Sequence, residues 1–513
     1  MSNSEIDASY AEQQYLEAER LYAAQRFAEA LAVLEPVLHA GFESPAMWNV
    51  VAACNLSLNK PDDAERAFRR AIELHPAYCE AHSNLGVLLT NQKRYPEAEA
   101  SLREALRHDP AHAASYSNLG VVMQARNRLP EAEKAYRQAL KLRPDFPDAT
   151  MNLGVVLRDQ GRLAEAEQTF RRILNDQPEG DAAFRVASDD HPVQVSAKVE
   201  LAHLMLATGH YAHGWRLYEN RYDARLGHRN TVPPAIELPQ WQGESLKGKS
   251  VLVYAEQGNG DAIQFSRYFP VLKQMGAKHV AFVCPDQLHR LMKTARGLDR
   301  VISESASPDP RHYDCWTFLL SIPLHARTTP ETIPSAEKVL SVPDAAFEHW
   351  RRRFSLLPGA KVGLVWKGSS IHPNDKVRSL PGLTTLAPLW SCPSASFVSL
   401  QKGQGEDEAA RPLAGQPLMH VGSEIEDFAD TAAIIAQLDL VITVDTAAAH
   451  LAGALGKRCW VLLPAIRTDW RWMNFTSSTP WYPETRLFRQ TRFNDWTAPL
   501  DAARHALSNL QLA

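Results

Sequence analysis

Cysteine is scarce in this chain and is scattered along it. The sequence has six cysteines among 513 residues, and no two of them form a C-x-x-C pair. Closely spaced pairs are the usual signature of a structural zinc site, and a dense, even set marks a disulfide framework. The sequence therefore predicts neither a zinc site nor a disulfide framework.

Long apolar runs and an excess of charge are also missing. No stretch approaches the ~18 uninterrupted apolar residues of a membrane-spanning helix, since the most apolar run, Leu438 to Leu455, contains Asp439, Asp445 and His450. The formal net charge of −4 gives no basic footprint for nucleic acid, and the polar N-terminus has no signal-peptide pattern. We expect a cytoplasmic protein with no transmembrane segment and no nucleic-acid partner.

What the sequence does have is a repeat with a period of 34 residues. Four columns share this spacing: Gly86, Gly120 and Gly154; Ala98, Ala132 and Ala166; Leu102, Tyr136 and Phe170; Pro76, Pro110, Pro144 and Pro178. The small residues allow two helices to approach closely, and the large residues are predicted to fill the groove between them. Proline ends the second helix of each repeat because it has no N–H to donate.

These columns resemble the tetratricopeptide repeat, in which helix pairs stack into a solenoid. We place the repeat array at residues 1–180, with a loosely fitting first repeat at 11–44. Residues 181–247 are assigned to a degenerate helix pair, at 199–222, and to a proline-containing linker.

A further column consists of Asn84, Asn118 and Asn152, each one residue before a Leu-Gly pair. Similar asparagine ladders in protein O-GlcNAc transferases grip the backbone of a bound peptide, so this resemblance implies a protein or peptide acceptor in the repeat groove. Alternatively, each asparagine bonds to the neighbouring repeat. The sequence leaves both interpretations open, and it also leaves open a homo-oligomer, because solenoids of this kind often self-associate.

Residues 243–250 read GESLKGKS, which formally matches the phosphate-binding loop G-x-x-x-x-G-K-[ST]. That loop follows a strand and opens a helix, whereas this segment precedes a predicted strand at 251–254. We therefore interpret it as a chance match.

Beyond the linker, short apolar runs alternate with helical patterns. Strands are predicted within 251–254, 279–284, 316–324, 361–370, 397–403, 439–445 and 459–464, and helices at 262–275, 429–438 and 446–457. The first of these helices should kink or break at Pro270. The alternation predicts two Rossmann-like domains facing each other over a cleft, which we place at 248–350 and 351–513.

The turn after the first strand reads EQGNGDAIQF and places Asp261 at a strand-to-helix junction. Such turns line the ligand crevice of open α/β sheets, although an isolated aspartate there also serves as a helix cap. A dinucleotide-binding turn needs a third glycine where Ile263 stands, which argues against a nucleotide-dependent dehydrogenase.

The turn VDTAAAHLAGALG is the strongest anion-binding signal. Its strand delivers Asp445 and Thr446 to the carboxyl end, and Ala447 opens a helix whose free N–H groups suit a diphosphate. Thr446 is predicted to be the N-cap of that helix. His450 follows one turn later, where a histidine is more often a packed core residue than a ligand.

These blocks resemble the ADP-heptosyltransferases of glycosyltransferase family 9, and still more the bacterial proteins in which tetratricopeptide repeats precede such a domain. The shared blocks are E-Q-G-x-G-D-x-I-Q-F-x-R-Y, N-D-[KR]-x-R-S, V-D-T-A-x-A-H-L-A-G-A-L-G and D-W-R-W, at 256–268, 374–379, 444–456 and 469–472. The resemblance spans about residues 248–490. It implies a GT-B fold and inverting sugar transfer from a nucleotide diphosphate, with no metal and no other cofactor.

The resemblance also implies roles for individual residues. Asp261 matches the general base, and Arg378 would neutralise the leaving diphosphate. The implied donor contacts are Lys367, Lys376, Gln401, Asp445, Thr446, Ala447 and His450, and the implied acceptor contacts are Gly260, Gln264, Asn84, Asn118 and Asn152. Ala447 departs from the family, which has glycine after Asp-Thr, and the heptosyltransferases have no solenoid.

Four aromatic residues, Trp470, Trp472, Trp481 and Tyr482, either stack on a sugar or base or pack in a core, and the second role is commoner. Taken together, the sequence predicts a glycosyltransferase that modifies a protein held by its own solenoid. The alternative is a catalytically inactive tetratricopeptide scaffold for protein–protein interaction.

Overall fold

The computed structural model describes residues 7–175, 191–227, 231–337, 339–412 and 416–510. The chain divides into two compact units, residues 1–179 and 180–513. Pro178, the last member of the predicted proline column, lies outside the described residues, as does the start of the predicted helix pair and linker at 181–190.

The first unit is a helical solenoid. Its described helices are α1 (Ala8–Ala23), α2 (Phe27–His39), α3 (Pro45–Ser57), α4 (Pro61–Leu74), α5 (Cys79–Asn91), α6 (Tyr95–His108), α7 (Ala113–Ala125), α8 (Leu129–Leu142), α9 (Pro147–Asp159) and α10 (Leu163–Ile173). They pack in consecutive pairs, and each pair also packs against the next. As predicted, α4, α6 and α8 each end two residues before a proline of the 34-residue column.

The predicted contact between small and large residues holds the helices of each pair together. A methyl group built on Gly86, Gly120 or Gly154 would lie only 2.5–2.6 Å from the side chain 16 residues later. Those side chains, Leu102, Tyr136 and Phe170, are fully buried. The glycine column therefore exists because the large residue occupies the space that a Cβ atom would need.

Charged residues repeat with the same period across the joints between repeats. Three arginines, Arg94, Arg128 and Arg162, each bond one glutamate three residues later and a second glutamate in the preceding repeat. The distance from arginine Nη1 to the second glutamate's Oε is 2.7 Å for Arg94–Glu65, 3.1 Å for Arg128–Glu99 and 2.6 Å for Arg162–Glu133. Because these pairs are partly exposed, they are screened by salt and contribute to register more than to stability.

The second unit begins, in its described part, with helices α11 (Pro192–Ala207) and α12 (Tyr211–Tyr218), the predicted degenerate pair. A short 3-10 turn after α12 carries Arg221, whose buried guanidinium donates two hydrogen bonds of 2.8 Å to the Glu256 carboxylate. Matched, doubly hydrogen-bonded charges offset much of the cost of their burial. This ion pair ties the helix pair to the α/β framework of the same unit.

A first parallel sheet follows. Its elements are β1 (Ser250–Tyr254), α13 (Asn259–Phe265), α14 (Phe269–Gln274), β2 (His279–Cys284), α15 (Asp286–Met292), β3 (Arg300–Ser303), β4 (Cys315–Phe318), α16 (Ile322–His325) and α17 (Asp344–Phe354). The strand order is β3-β2-β1-β4, with every pairing parallel. The predicted linker lies partly along this sheet, because Trp241 N–H donates to the carbonyl of Trp316 in β4 at 2.7 Å.

A second, six-stranded parallel sheet completes the unit. Its elements are β5 (Ala360–Val365), α18 (Asp375–Arg378), β6 (Ala395–Ser399), α19 (Glu406–Ala410), β7 (Leu418–His420), α20 (Phe428–Ala436), β8 (Leu440–Val444), α21 (Ala447–Ala454), β9 (Cys459–Leu463), β10 (Thr485–Arg489) and α22 (Thr497–Ser508). The strand order is β10-β9-β8-β5-β6-β7. Continuous burial of β8 and β9 explains their apolar sequences, since helices cover both faces of parallel sheets.

The order of strands reverses once in each sheet, between β1 and β4 and between β5 and β8. Ligands of open α/β sheets bind outside the carboxyl ends of the strands at such reversals. Asp261 follows β1, and Asp445 follows β8, so both predicted turns lie at a reversal. This topology locates the candidate site.

The structure also corrects several details of the prediction. Strands β3, β7 and β10 were not predicted, because each is only three to five residues long and carries charged or half-exposed positions. The helix expected at 262–275 breaks earlier than Pro270, as a 3-10 turn at Ser266–Tyr268. The proline ring crowds the carbonyl four residues before it, which is that of Ser266.

Three further sequence expectations are tested by the fold. The GESLKGKS segment leads into the N-terminal end of β1 and pairs with the chain near Ala277, so it does not form a phosphate-binding loop. All six cysteines are buried free thiols. Across the described residues, none of the helices is both long and apolar enough to span a membrane.

Candidate functional site

Asp261 lies in the first turn of α13, immediately after the carboxyl end of β1. One carboxylate oxygen accepts the Gly258 backbone N–H at 2.8 Å, and the other is bonded by the Arg471 guanidinium. The side chain is 17% exposed. Burial raises the pKa of Asp261 above its ordinary value, while Arg471 and the Gly258 N–H limit that rise. Asp261 therefore caps its helix and is also a buried, paired carboxylate.

Arg471 reaches Asp261 from a 3-10 turn at Trp470–Trp472, after β9. Its Nε donates to Gln264 Oε1 at 2.6 Å, and its Nη1 lies 3.0 Å from both oxygens of Asp469. Burial opposes the charge on Arg471, but the two carboxylates raise its pKa above the ordinary value. A guanidinium held on three sides is rigid, so it fixes the orientation of the Asp261 carboxylate.

The helix α21 begins directly beside this turn. A Cβ atom on Gly260 would lie 2.8 Å from His450 Cδ2 and 3.4 Å from the Cα of Ala447, so the two backbones are in close contact at that point. His450 Nδ1 shares a 3.1 Å hydrogen bond with the Tyr482 hydroxyl, and its ring stacks on Trp472. The predicted base and the predicted anion-binding helix N-terminus thus share one site.

His450 supports this site and is neutral. Burial, together with the neighbouring Arg471 cation, lowers its pKa to about 3. Thr446 occupies the N-cap position, but its hydroxyl bonds that of Thr443 at 3.0 Å and no helix N–H. The predicted N-cap position of Thr446 is therefore confirmed, although its hydroxyl does not bond the helix. The first N–H groups of α21 remain without a side-chain cap, as an anion site requires.

The surroundings of Asp445 oppose the ionisation of its carboxyl group. Burial and repulsion from Asp469 raise its pKa to about 6, and the nearby Arg378 cation opposes this shift. Asp469 behaves in the opposite way, because Arg471 and its hydrogen bonds hold the pKa of Asp469 below its ordinary value despite burial. Two carboxylates and two arginines are thus electrostatically coupled at the carboxyl end of the second sheet.

Arg378 ends the short helix α18 and is mostly buried. Its Nη2 would lie 2.7 Å from a Cβ on Gly368, and its Nε lies 3.9 Å from Asp375 Oδ1. Within the described residues, the Nε atom has no hydrogen-bond partner. Gly368 follows β5, so the guanidinium sits at the strand-order reversal with donor capacity to spare.

The other predicted donor contacts differ in how they are placed. Lys367 pairs with Glu408 at 2.7 Å, and Lys376 is exposed on α18. Gln401 is buried, and its amide group bonds the backbone of Trp366, Lys367 and Gln404. In this structure Gln401 holds the ends of β5 and β6 together.

The predicted acceptor contacts in the second unit, Gly260 and Gln264, hold other residues of the site in place. Gly260 provides the space that His450 occupies, and buried Gln264 accepts from Arg471. The Gln264 Nε2 atom has no partner in the described part of the chain.

The four aromatic residues that the sequence singled out belong to the core. Trp470, Trp472, Trp481 and Tyr482 are each at most 4% exposed. Trp215 of α12 makes edge contacts with Trp470 and Trp481, so the helix pair α11–α12 buries this cluster. Packing, the commoner of the two roles considered, is what the structure shows.

Three site residues were not singled out from the sequence. Arg471 and Asp469 lie in the D-W-R-W block, where an aspartate and an arginine alternate with two tryptophans. Charged residues so close to large apolar ones are a sign of a buried charge. His372 lay in the loop before α18 with no such mark. Burial and Arg378 lower the pKa of His372, whereas Asp469, Asp375 and Asp261 raise it, which places it within reach of the same charges.

In the first unit, two asparagines of the ladder bond the preceding repeat. Asn84 Nδ2 donates to Asn49 Oδ1 at 3.1 Å, and Asn118 Nδ2 donates to Ser83 Oγ at 3.4 Å. Asn84, Asn118 and Asn152 are all half-buried. The inter-repeat contact therefore exists at two positions, and each side chain still presents a polar surface.

Comparison with known proteins identifies the first unit. Family models for the tetratricopeptide repeat match residues 15–78, 77–145 and 118–182. Over 330 residues the chain is 27% identical to Protein FlbA of Caulobacter vibrioides, a match covering 60% of this chain and 54% of FlbA. The chain thus spans about half the length of that relative. The repeats predicted from the 34-residue period are tetratricopeptide repeats.

Among solved structures, similarity is low. PilF of Pseudomonas aeruginosa is 19% identical with a TM-score of 0.32, covering 40% of this chain and 95% of PilF. YrrB, a tetratricopeptide protein, is 26% identical with a TM-score of 0.25, covering 28% of this chain and 75% of YrrB.

Proposed function

We propose that the second unit is an inverting, metal-independent glycosyltransferase of the GT-B type. It takes a sugar from a nucleoside diphosphate donor and transfers it to a protein held by the repeats. One observation carries this proposal: the buried Asp261 carboxylate lies where Gly260 packs against Ala447 and His450, so a base adjoins a free helix N-terminus.

In the proposed reaction, an acceptor hydroxyl attacks the anomeric carbon as its proton passes to Asp261. The bond between that carbon and the diphosphate oxygen breaks, and the electron pair leaves with the diphosphate. Ionised Asp261 has lone pairs beyond those used by Gly258 and Arg471. Its raised pKa makes it a stronger base than an exposed aspartate.

The departing diphosphate gains negative charge that the site is built to receive. The N–H groups of α21 and the unpartnered Nε of Arg378 are preorganised donors for that charge. Neutral His450, which belongs to α21, adds no charge, and its contacts with Tyr482 and Trp472 keep the N-terminus of the helix in position.

Diphosphate binding provides the direct test of this assignment. At about 100 times its dissociation constant, a matching nucleoside diphosphate should stabilise the protein by about 2.7 kcal/mol. Arg378→Ala should weaken its affinity about tenfold or more, since charge-assisted hydrogen bonds contribute about 1.5–3 kcal/mol. Thermal unfolding with ADP, UDP, GDP and CDP measures both effects.

Arg351→Ala is the matched control, because Arg351 is an exposed arginine of α17 paired with Glu348. It should bind like the wild type. Equal affinity in Arg378→Ala and the wild type would remove Arg378 from the donor site.

The acceptor is proposed to lie on the asparagine ladder of the repeats. The triple variant Asn84→Ala, Asn118→Ala, Asn152→Ala should lose most acceptor transfer while the donor still binds. Its control, Asn49→Ala with Ser83→Ala, removes the same inter-repeat hydrogen bonds but keeps the ladder amides. Equal loss of transfer in both variants, measured beside circular dichroism melts, would assign the asparagines to inter-repeat bonding alone.

A protein-interaction scaffold without catalysis is the second candidate, favoured by the tetratricopeptide match. The charges around Asp445 argue against it. A scaffold gains nothing from a carboxylate whose burial and like-charge neighbour both oppose its ionisation.

A further inference from the structure

A cavity of about 340 Å³ lies beside α14, apart from the turn that carries Asp261. Its polar lining residues are Arg267, Gln274, Arg296, Thr328, Thr332 and Ser335. Neither an aspartate nor a glutamate is among the described residues that line it. The volume is at the lower end of the ~300–1,000 Å³ of small-molecule pockets.

Arg267 is an unusual residue for a cavity wall because its charge has no counter-ion. The side chain is 2% exposed and donates to the carbonyls of Gln264, Trp481 and Pro334, at 2.8, 2.9 and 3.3 Å. Its guanidinium also lies over the rings of Trp481 and Tyr482, 5.3 and 4.9 Å from their centroids. Its Nη2 has no hydrogen-bond partner, and it forms no ion pair, among the residues that the structure describes. These carbonyls and rings offset part of the cost of burying the cation, and an anion in the cavity would compensate its full charge.

Arg296 supplies a second cation to the lining of the cavity. It is exposed, and its backbone N–H donates to the Val339 carbonyl, which fixes the start of its side chain. The buried Thr328 hydroxyl shares a 3.0 Å hydrogen bond with Tyr268, so one hydroxyl of the wall is held in place. Two arginines with a fixed hydroxyl form a donor set that suits a phosphate group.

We propose that this cavity is a binding site for a small phosphate-bearing anion, either free phosphate or a sugar monophosphate. The anion places its charge between Arg267 and Arg296 and its remaining atoms against the apolar wall formed by Pro270 and Val271. The lining of this cavity includes none of the residues of the proposed diphosphate site, and the proposal does not depend on the transferase assignment.

Isothermal titration of the full-length protein tests the proposal, with inorganic phosphate and a hexose 6-phosphate as separate probes at constant ionic strength. Arg296→Ala should raise the dissociation constant of the bound probe about tenfold or more. Arg267→Met, which replaces the buried cation with an apolar side chain of similar length, should abolish binding. Tighter binding of the hexose phosphate assigns the site to a sugar phosphate, and equal binding assigns it to free phosphate.

Two controls separate this site from others. Arg378→Ala should keep the full affinity, because Arg378 belongs to the proposed donor site, and Arg351→Ala tests for loss of a surface charge alone. If neither probe binds at up to about 10 mM, or if Arg296→Ala and Arg267→Met bind as the wild type does, the cavity is not an anion site.

Discussion

Replacing Asp261 with asparagine is expected to lower the rate of sugar transfer by about 10²- to 10⁴-fold. Donor affinity should stay nearly unchanged, because a general base contributes mainly in the transition state. In the wild type, transfer should fall as the pH drops through the pKa of Asp261, which lies above its ordinary value. Initial rates against pH and donor titrations measure the two effects separately.

Asp469→Asn is the matched control for this variant. Asp469 is also bonded to Arg471, so the substitution removes an equal charge from the same guanidinium without removing the proposed base. Its loss of transfer should be far smaller. Transfer by Asp261→Asn at the rate of Asp469→Asn would show that Asp261 only orients Arg471.

Replacing Asp445 with asparagine is expected to stabilise the second unit at pH 7.5 while impairing transfer. The pKa of Asp445 is raised to about 6, from an ordinary value of 3.8. Between these values the folded state binds a proton that the unfolded state does not, so stability falls as the pH rises. Above pH 6 Asp445 is ionised in both states, so the folded state carries the full free-energy cost of its charge. Removing that charge should raise the free energy of unfolding by about 1–3 kcal/mol.

The pH dependence of that gain identifies its cause. It should shrink as the pH falls from 6 towards 4, because protonated Asp445 and the asparagine that replaces it are then both neutral. All tryptophans except Trp48 lie in the second unit, so their fluorescence during urea unfolding reports this unit. A variant that is less stable than the wild type at pH 7.5, or equally stabilised at pH 4.5, would contradict the repulsion between Asp445 and Asp469.

The repeat array could be predicted almost fully from the sequence, because each of its contacts recurs at the same spacing. Gly120 and Tyr136 form one contact that three repeats display, so periodicity alone reveals the packing. The inter-repeat bonds of Asn84 and Asn118 were less accessible. Their partners, Asn49 and Ser83, lie in a neighbouring column that has no fixed residue type.

The two turns of the candidate site were also predictable, since each follows an apolar strand and opens a helix. The contact between the two turns was not predictable. It brings Gly260 to His450, about 190 positions later in the chain, through the packing of two sheets. The ion pair between Arg471 and Asp261 was not predictable for the same reason, because its partners lie far apart in the sequence. The D-W-R-W block that contains Arg471 entered only through the family resemblance, which did not indicate this pair.

Gln401 was assigned to the donor site by the resemblance, and the structure shows how its side chain is used. Its polar side chain follows a strand, as a ligand contact would, yet all of its hydrogen-bonding groups are used to bridge β5 and β6. A sequence gives the chemical type of a side chain, but whether its donors are already occupied depends on backbone groups from other strands.

The central claim is tested most directly by incubating the purified full-length protein with each nucleotide sugar and following the anomeric signals by NMR. The account predicts that one donor is cleaved slowly with water as the acceptor, which gives its nucleoside diphosphate and a sugar whose anomeric configuration is inverted before mutarotation, and that Asp261→Asn is inactive on it. Absence of cleavage for every donor, from a protein that also binds no nucleoside diphosphate, would contradict the account and leave the tetratricopeptide scaffold as the function.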